Sequence, residues 1–291
     1  MDVIRTAAAL GAAGDAWRAG GAQVGLVPTM GALHDGHASL IRRARSENDR
    51  LVVSIFENPT QFATGEDFDR YPRDEAHDLA TCERAGVDAV WPPPVEEVYP
   101  PGADLPLPDP GPVGDTFEGT SRPGHFAGVL QVVHRLLTVA GPVHAYFGEK
   151  DAQQLFLIRR MVAAAPELRG VTIVSCPTVR EPDGLACSSR NAYLSPEERA
   201  QAPCLFLALT EAAEASRAGE RDARVLVALM AREIGATPLA RLECAAVVDD
   251  ATFTAVDAVE SPVRALVSAR FPSARLIDNL LLPLPPGEPE G

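Results

Sequence analysis

Short apolar runs alternate with longer segments of helical periodicity through the first half of the sequence. This alternation constrains the possible fold more than any other feature of the sequence. Residues 24–27 and 51–56 are predicted strands, and the second is a continuous apolar run of the kind found in strands buried on both faces. Between them, apolar residues around Leu40 and Ile41 have the spacing of an amphipathic helix. Because strand, helix and strand in this order are typical of β-α-β units, we predict an α/β fold with a parallel sheet.

The same alternation continues to residue 178 and predicts a doubly wound sheet. Proline and glycine residues crowd together at 92–112, which is expected to be a loop. Beyond that loop, apolar residues within 129–140 recur with helical spacing, so this helix should bury one face. The other predicted elements of this part are helices over 74–85 and 152–164 and strands over 87–91, 145–147 and 171–175.

The character of the sequence changes after Thr178. A polar loop over 180–191 is followed by helical segments and then by short strand segments, which predicts a smaller α+β domain. We therefore predict two domains, 1–178 and 179–291. The predicted elements of the second domain are helices over 196–217 and 222–234 and strands over 242–248, 265–269 and 275–277. The proline- and glycine-rich tail over 283–291 is expected to be disordered.

Net charge and cysteine content exclude several classes of protein. A formal net charge of −14 provides no broad basic surface to displace counterions from phosphates, so no nucleic-acid partner is expected. The five cysteines are scattered, which argues against a disulfide framework and against a structural zinc site. No segment approaches the roughly 20 apolar residues of a membrane span, and the first residues lack a signal-peptide pattern. The expectation is a cytoplasmic protein with no membrane partner.

The segment VPTMGALHDGH, residues 27–37, joins the first predicted strand to the first long helix. Ligands of doubly wound sheets bind at the carboxyl ends of the strands, where a helix start directs backbone N–H groups towards an anion. His34 and His37, with Gly36 between them, can bring two imidazoles to one phosphate because glycine has no Cβ to obstruct the backbone. In this position the pattern indicates nucleotidyl transfer through an α-phosphate. The alternative is that the two histidines only cap the helix.

Other common nucleotide and hydrolase motifs are missing from the sequence. It contains neither the GxGxxG dinucleotide fingerprint nor the GxxxxGK[ST] P-loop, and it lacks the GxSxG hydrolase elbow. The HxGH segment, residues 34–37, is therefore the main sequence signal for nucleotide chemistry.

A second segment, YFGEKDAQQ over residues 146–154, also lies where a predicted strand passes into a helix. Lys150 is placed to neutralise phosphate charge, and Asp151 could hold a ribose hydroxyl or cap the helix. Gln154, one turn further on, could bind a small polar substrate. The alternative for Lys150 is the usual one for lysine, a solvated surface side chain.

Two further patches are expected to face the same crevice. Ser188, Ser189 and Arg190 follow each other in the polar loop, which suits a mobile phosphate clamp, although an ordinary interdomain linker could have the same composition. Gln61 lies in NPTQF, directly after the second predicted strand, so it should point towards the same strand ends.

These motifs together resemble those of the pantothenate synthetase, or pantoate–β-alanine ligase, family within the HIGH/KMSKS nucleotidyltransferase superfamily. The resemblance runs from about Val24 to Asn279 in the expected order. The segments that carry it are VPTMGALHDGH, NPTQF, YPR, RPGHF, YFGEKDAQQ, PTVREPDGLACSSRNAYLS and RLIDN.

The resemblance implies a Rossmann-like N-terminal domain, a smaller C-terminal domain that acts as a lid, and a homodimer. It also implies an enzyme that uses ATP and Mg²⁺ to join pantoate to β-alanine through a pantoyl adenylate. His37, His34 and Lys150 would be the catalytic residues, with His37 as the proton donor.

The resemblance also implies binding residues. Gln61 and Gln154 would bind pantoate, Gln61 would also meet β-alanine, and Asp78 would be the protein contact to Mg²⁺. The residues implied to bind ATP are Met30, Gly31, Ala32, Leu33, His34, Asp35, Gly36, His37, Gly148, Glu149, Lys150, Asp151, Val179, Cys187, Ser188, Ser189 and Arg190.

Three positions depart from the family pattern. Glu57 occupies the place before NPTQF where an apolar residue is usual, so its carboxylate must reach water or a partner, or its pKa will rise. Cys187 stands where methionine or another apolar residue is usual, and Arg275 lacks the usual GxT before it. None of the three removes a residue with a predicted chemical role.

Two other functions compete with the ligase hypothesis. One is an HxGH nucleotidyltransferase that adds AMP or CMP to a phosphorylated acceptor, but such an enzyme has no need for the glutamines of NPTQF and DAQQ. The other is a nucleotide-binding protein without catalytic activity, which would not need to keep both histidines and the lysine.

Overall fold

The computed structural model describes residues 1–62 and 67–283, and the predicted disordered tail beyond Pro283 lies outside these residues. Backbone contacts divide the chain into two compact units. Unit 1 comprises Met1–Glu149 and Gln154–Val179, and unit 2 comprises Lys150–Gln153 and Arg180–Gly291. Among the helices of the described residues, none combines the length and the apolar character needed to cross a bilayer.

The sheet of unit 1 is parallel throughout. Its six strands in the described part of the chain are β1 (Asp2–Val3), β2 (Val24–Thr29), β3 (Arg50–Ile55), β4 (Ala89–Trp91), β5 (His144–Gly148) and β6 (Thr172–Cys176). Their order is β1-β4-β3-β2-β5-β6, and each pair of neighbours is parallel. The predicted α/β, doubly wound fold is confirmed.

Helices in the described part of the chain connect these strands. They are α1 (Ala7–Ala19), α2 (Asp35–Glu47), α3 (Glu75–Arg84), α4 (Val95–Val98), α5 (Glu118–Ser121), α6 (His125–Ala140) and α7 (Ala152–Ala164). The loop predicted over 92–112 thus contains one helical turn, α4. Strand β1 and helix α1 were not predicted.

The sheet has an apolar core on each face because side chains alternate along a strand. Val52 of β3 packs in a cluster with Leu130 and Leu137 of α6, whereas its neighbours Leu51 and Val53 pack in a second cluster. The second cluster contains Leu40, Ile41 and Ala44 of α2, the same helical stripe that the sequence predicts. This burial on both faces explains the continuous apolar run of β3.

The winding direction of the sheet reverses between β2 and β5. From β2 the chain proceeds to β3 on one side, and it later returns to place β5 on the other side of β2. The carboxyl ends of β2 and β5 flank this switch point, which is where doubly wound sheets bind ligands. The HxGH segment, residues 34–37, follows β2 after a loop of four residues.

Unit 2 has a three-stranded antiparallel sheet with helices packed on it. In the described residues it contains α8 (Pro196–Gln201), α9 (Cys204–Arg217), α10 (Ala223–Gly235), β7 (Arg241–Asp249), β8 (Val263–Arg270) and β9 (Arg275–Leu281). The single helical segment predicted over 196–217 is two helices, because the chain turns at Ala202 and Pro203. Proline cannot donate the backbone hydrogen bond that would continue α8.

Candidate active site

The loop between β2 and α2 is held in a fixed conformation by a carboxylate from α3. Gly31 and Ala32 have positive φ angles of 84° and 50°. The side chain of Asp78 accepts the N–H of Ala32 at 2.9 Å through Oδ2 and the N–H of Leu33 at 2.8 Å through Oδ1. A Cβ at position 31 would lie 2.9 Å from Asp78 Oδ2, so glycine allows this close approach.

Burial raises the pKa of Asp78 above its ordinary value, and the two backbone N–H bonds oppose the rise. Only 2% of this residue is exposed, and the N–H bonds place its carboxylate beneath the loop. Asp78 thus shapes the segment in which most of the predicted ATP-binding residues lie. Its predicted contact to Mg²⁺ stays a prediction.

Both histidines of the HxGH segment cap helix α2, and the capping fixes their tautomers. His34 is the N-cap, and its Nδ1 accepts the N–H of Gly36 at 3.1 Å. The Nδ1 of His37 accepts the N–H of His34 at 3.3 Å, and the two ring centroids are 4.0 Å apart. Because a backbone N–H can only donate, each Nδ1 is an acceptor, and the proton of each neutral ring is on Nε2.

The NPTQF segment forms a tight turn that brings Gln61 to Met30. Asn58 is 1% exposed, and its Nδ2 donates to Gln61 Oε1 at 3.1 Å. Gln61 Nε2 in turn lies 3.2 Å from the sulfur of Met30. The structure therefore places two of the predicted binding segments, VPTMGALHDGH and NPTQF, in contact within unit 1.

The RPGHF segment, which sequence reasoning left without a role, holds the backbone of this turn. His125 Nδ1 donates to the carbonyl oxygen of Gln61 at 2.9 Å, and Arg122 Nη1 donates to His125 Nε2 at 3.0 Å. Helix α6 comes very close to the turn: a Cβ at Gly128 would lie 2.3 Å from the carbonyl oxygen of Thr60. The signal in the sequence that could have identified Arg122 and His125 was the RPGHF motif that contains them.

Lys150 lies in the 3-10 turn Glu149–Asp151, directly after β5. Its Nζ is 3.6 Å from Asp151 Oδ1, and its side chain is 19% exposed. Sequence reasoning missed that Lys150 is the only lysine of the chain, since every other member of the 26 basic Lys and Arg residues is arginine. Arginine and lysine differ in geometry and hydration, so a single lysine among many arginines indicates a position that needs an amine.

Several hydrogen bonds join residues within the polar loop after Arg180. Arg180 and Ala186 form an isolated antiparallel bridge, and the N–H of Glu181 donates to Leu185 O at 2.8 Å. Asn191 Nδ2 donates to Glu181 Oε1 at 3.0 Å and to Ala186 O at 3.1 Å. The segment that contains Ser188, Ser189 and Arg190 is therefore an ordered loop of unit 2.

The remaining predicted site residues lie at the ends of strands, helices or unit 1. Gly148 is the last residue of β5, and Gln154 is half-buried in the first turn of α7. Asp35 and Gly36 open α2, while Val179 is the last residue of unit 1. Ser188 caps the 3-10 turn Ser189–Tyr193. Their roles in ligand binding stay predictions.

A model of the pantoate–β-alanine ligase family matches residues 2–281 of the chain. The chain belongs to this ligase family. A pantothenate synthetase of Rubrobacter xylanophilus is 54% identical over 274 residues, covering 92% of this chain and 94% of the relative. The pantothenate synthetase of Salinibacter ruber is 47% identical, covering 99% of this chain and 100% of the relative.

Solved structures of pantoate–β-alanine ligases have the same fold. A crystal structure of pantothenate synthetase from Thermus thermophilus aligns with a TM-score of 0.90 at 45% identity, covering 97% of this chain and 100% of that one. A pantoate–β-alanine ligase from Francisella tularensis, complexed with β-γ ATP and β-alanine, aligns with a TM-score of 0.78 at 32% identity, covering 97% of both chains.

In this member of the pantoate–β-alanine ligase family, the unusual Glu57 has a charged partner. Its Oε2 lies 2.6 Å from Arg73 Nε, the arginine of the YPR segment. Burial nevertheless raises the pKa of Glu57, and the negative charge of Asp78 adds to the rise while Arg73 opposes it. Both outcomes expected from the sequence, a partner and a raised pKa, are therefore present.

Proposed function

We propose that this ligase uses ATP to condense pantoate with β-alanine through a pantoyl-adenylate intermediate. The observation that carries the proposal is the tandem His34–His37 cap at the start of α2, beside the switch point of the sheet. Both Nδ1 atoms accept backbone N–H groups, so both rings present their proton at Nε2. Two such donors at a positive helix end suit a site where negative charge develops on a phosphate.

In the first step, an oxygen of the pantoate carboxylate attacks the α-phosphorus of ATP. A new acyl–oxygen–phosphorus link forms, the bond between the α-phosphorus and the bridging oxygen breaks, and pyrophosphate leaves with that electron pair. His34, His37 and Lys150 would stabilise the charge on the phosphate oxygens, with His37 as proton donor. By analogy with oxyanion-hole donors, removing one of them should cost about 3 kcal/mol, or roughly 10²- to 10³-fold in rate.

In the second step, the amine of β-alanine attacks the acyl carbon of pantoyl adenylate. The amide bond forms, the bond from the acyl carbon to the oxygen shared with AMP breaks, AMP leaves with that electron pair, and the amine releases a proton to solvent. Gln61 and Gln154 are the proposed contacts to pantoate, and Gln61 also to β-alanine. The β-γ ATP and the β-alanine in the name of the Francisella relative support these two substrates.

The proposed ATP site draws on the HxGH segment, on Gly148 to Asp151, and on Val179 with the loop from Cys187 to Arg190. The Asp78 bonds to Ala32 and Leu33 support this assignment, since they fix the loop that would receive the nucleotide. The lid role of the second domain, the homodimer and the cytoplasmic location stay predictions.

Mg²⁺ is part of the proposal, held mainly by the nucleotide. In the described residues, no group of three or more His, Cys, Asp or Glu side chains could hold a metal ion. Mg²⁺ is commonly bound by one or two carboxylates together with substrate phosphates and water. Each oxygen of Asp78 accepts one backbone N–H and retains a second lone pair, so a single contact from this residue fits. When bound, the ion would neutralise phosphate charge.

The test is a product assay on the purified protein. AMP should appear only when ATP, pantoate and β-alanine are all present. His37→Ala and Lys150→Ala should each lower turnover by roughly 10²- to 10³-fold, because each removes a donor to the transition state. His77→Ala is the matched control, since His77 is an exposed histidine of α3. Near-normal turnover by His37→Ala would show that the proposed role is wrong.

A further inference from the structure

The RLIDN segment of β9 contains a buried amide that reaches the backbone of Lys150. Asn279 is 4% exposed, and its Nδ2 donates to the carbonyl oxygen of Lys150 at 2.8 Å. Both residues belong to unit 2, although 129 positions separate them in the sequence. The contact holds the short turn that contains the lysine. The proposed mechanism gives Asn279 no role.

The orientation of the Asn279 amide is determined by Arg264. Arg264 Nη1 donates to Asn279 Oδ1 at 2.7 Å, and Arg264 Nε donates to Asp250 Oδ1 at 2.7 Å. A guanidinium can only donate, so the oxygen of the amide must face Arg264. The amide nitrogen then faces the Lys150 carbonyl, which can only accept. Arg264 and Asn279 occupy diagonal positions on β8 and β9, because Leu266 pairs with Asn279.

The preceding residue of β9 anchors the polar loop of the same unit. Asp278 is 4% exposed and accepts from Arg180 through both oxygens, at 2.5 and 3.0 Å. Arg180 also donates to the carbonyl oxygen of Gly184 at 3.0 Å, within the loop that leads to Ser188. Consecutive residues of one strand therefore hold two segments that the proposed function assigns to ATP.

We propose that Asn279 is a positioning residue for the reaction: it holds the carbonyl oxygen of Lys150 and so places the lysine amine for the nucleotide. This inference rests on the proposed role of Lys150. Both ends of the Asn279 amide are engaged within the protein, by Arg264 and by Lys150, so we expect its loss to act on the reaction through the lysine. A small displacement of a catalytic group can cost as much as about 10²-fold in rate.

A double-mutant cycle on ATP affinity tests this dependence. Calorimetry compares the wild type, Asn279→Ala, Lys150→Ala and the double variant. Asn279→Ala should weaken ATP binding about tenfold in the wild-type background and less than about twofold in the Lys150→Ala background, because residues that act through one contact are not additive. The kcat/KM for β-alanine should not change, since β-alanine reacts in the second step.

Because the chain has one lysine, a sample made with lysine that carries ¹³C only at Cε gives a single side-chain signal, and this signal reports on Lys150. ATP should shift it in the wild type, and the shift should shrink in Asn279→Ala. Ser216→Ala is the matched control: Ser216 is fully buried in the same unit and donates to the carbonyl oxygen of Pro283, just after β9. It should lower stability without changing the lysine signal. If Asn279→Ala does not fold, Asn279→Leu removes the same donor and keeps the branched shape of the side chain.

Three outcomes would overturn the inference. If Lys150→Ala weakens ATP binding but Asn279→Ala does not, Asn279 has no positioning role and the proposed function stands. If Asn279→Ala has an equal effect in both backgrounds, the residue acts on general stability. If Lys150→Ala leaves ATP affinity and turnover unchanged, the proposed role of Lys150 fails, and this inference fails with it.

Discussion

At the residue scale, the capping and catalytic interpretations of His34 and His37 are compatible. The capping bonds use the Nδ1 atoms, which accept the N–H groups of Gly36 and of the N-cap residue His34. The same bonds place the ring protons on Nε2, where a phosphate oxygen can accept them. The two interpretations that the sequence left open therefore describe different atoms of the same rings.

Asp78 gives a prediction that separates a role in holding the loop from a role in binding metal. Asp78→Asn removes one of two acceptors for the N–H groups of Ala32 and Leu33 and should lower the free energy of unfolding by about 2 kcal/mol. If the residue mainly holds the loop, ATP affinity should fall by the same factor with and without Mg²⁺. Calorimetry with each form of the nucleotide measures this factor.

The control for Asp78 is Asp74→Asn in the same helix. Asp74 caps α3 through the N–H of His77, and asparagine caps helices about as well as aspartate, so this variant should behave as the wild type. A loss of affinity by Asp78→Asn that occurs only when Mg²⁺ is present would instead show that Asp78 contacts the metal.

Glu57 should make the protein slightly less stable at neutral pH. Burial raises its pKa in the folded state, so the folded protein binds the proton more readily than the unfolded chain does. This unfavourable contribution is present at pH values above the folded pKa and disappears as pH falls below the unfolded pKa of about 4.3. Glu57→Gln should therefore raise the free energy of unfolding near neutral pH, by less than about 1 kcal/mol.

Urea unfolding of Glu57→Gln and the wild type at several pH values tests this sign. The difference between the two proteins should shrink as the solution becomes acidic. A variant that is clearly less stable than the wild type at neutral pH would show that the ion pair with Arg73 outweighs the cost of burial.

At the element scale, the close approach of helix α6 to the turn of NPTQF constrains Gln61. Gly128→Ala would place a Cβ 2.3 Å from the carbonyl oxygen of Thr60, so helix and turn must separate. The free energy of unfolding should fall by about 2 kcal/mol, and the KM for pantoate should rise because Gln61 moves. Denaturation and steady-state kinetics measure the two effects.

The matched control is Gly11→Ala in helix α1. There the nearest atom to an added Cβ is Val139 O at 3.7 Å, which is ordinary contact. Since alanine favours a helix over glycine, this variant should be more stable by about 0.5 to 1 kcal/mol. If Gly128→Ala were as harmless as Gly11→Ala, the close packing of α6 on the turn would not constrain Gln61.

Most elements could be predicted from the sequence because their patterns are local. Strand β3 and the buried stripe of α6 were found from apolar spacing, and both lie in the core. Helix α1 was missed because its alanine-rich sequence has little polar contrast, and only Leu10 and Gly14 of it are buried. Pro203 was a visible signal for the break between α8 and α9, but the apolar spacing across it suggested one helix.

The candidate site could be predicted only where chemistry follows from a short motif. The histidines and Lys150 were identifiable because they lie in segments that join a strand to a helix. The supporting contacts were not predictable, since the partners of a buried amide or carboxylate depend on packing between distant segments. Asn279 with Lys150 and Asp78 with Ala32 are such pairs.

At the scale of the whole molecule, the chain combines a strongly acidic surface with an anionic substrate. The net charge of −14 cannot attract ATP over a distance, so the site must supply local positive charge. The start of α2, the two histidines and the single lysine are the groups proposed to do so. The central claim is that this local charge supports transfer of AMP to the pantoate carboxylate.

Transfer of an oxygen atom tests that claim most directly. Pantoate labelled with ¹⁸O in its carboxylate is incubated with the enzyme, ATP and β-alanine, and the products are analysed by mass spectrometry. An acyl adenylate leaves one carboxylate oxygen on AMP when the amine attacks the acyl carbon, so AMP should contain one ¹⁸O atom. Unlabelled AMP, or ADP together with labelled phosphate, would contradict the account.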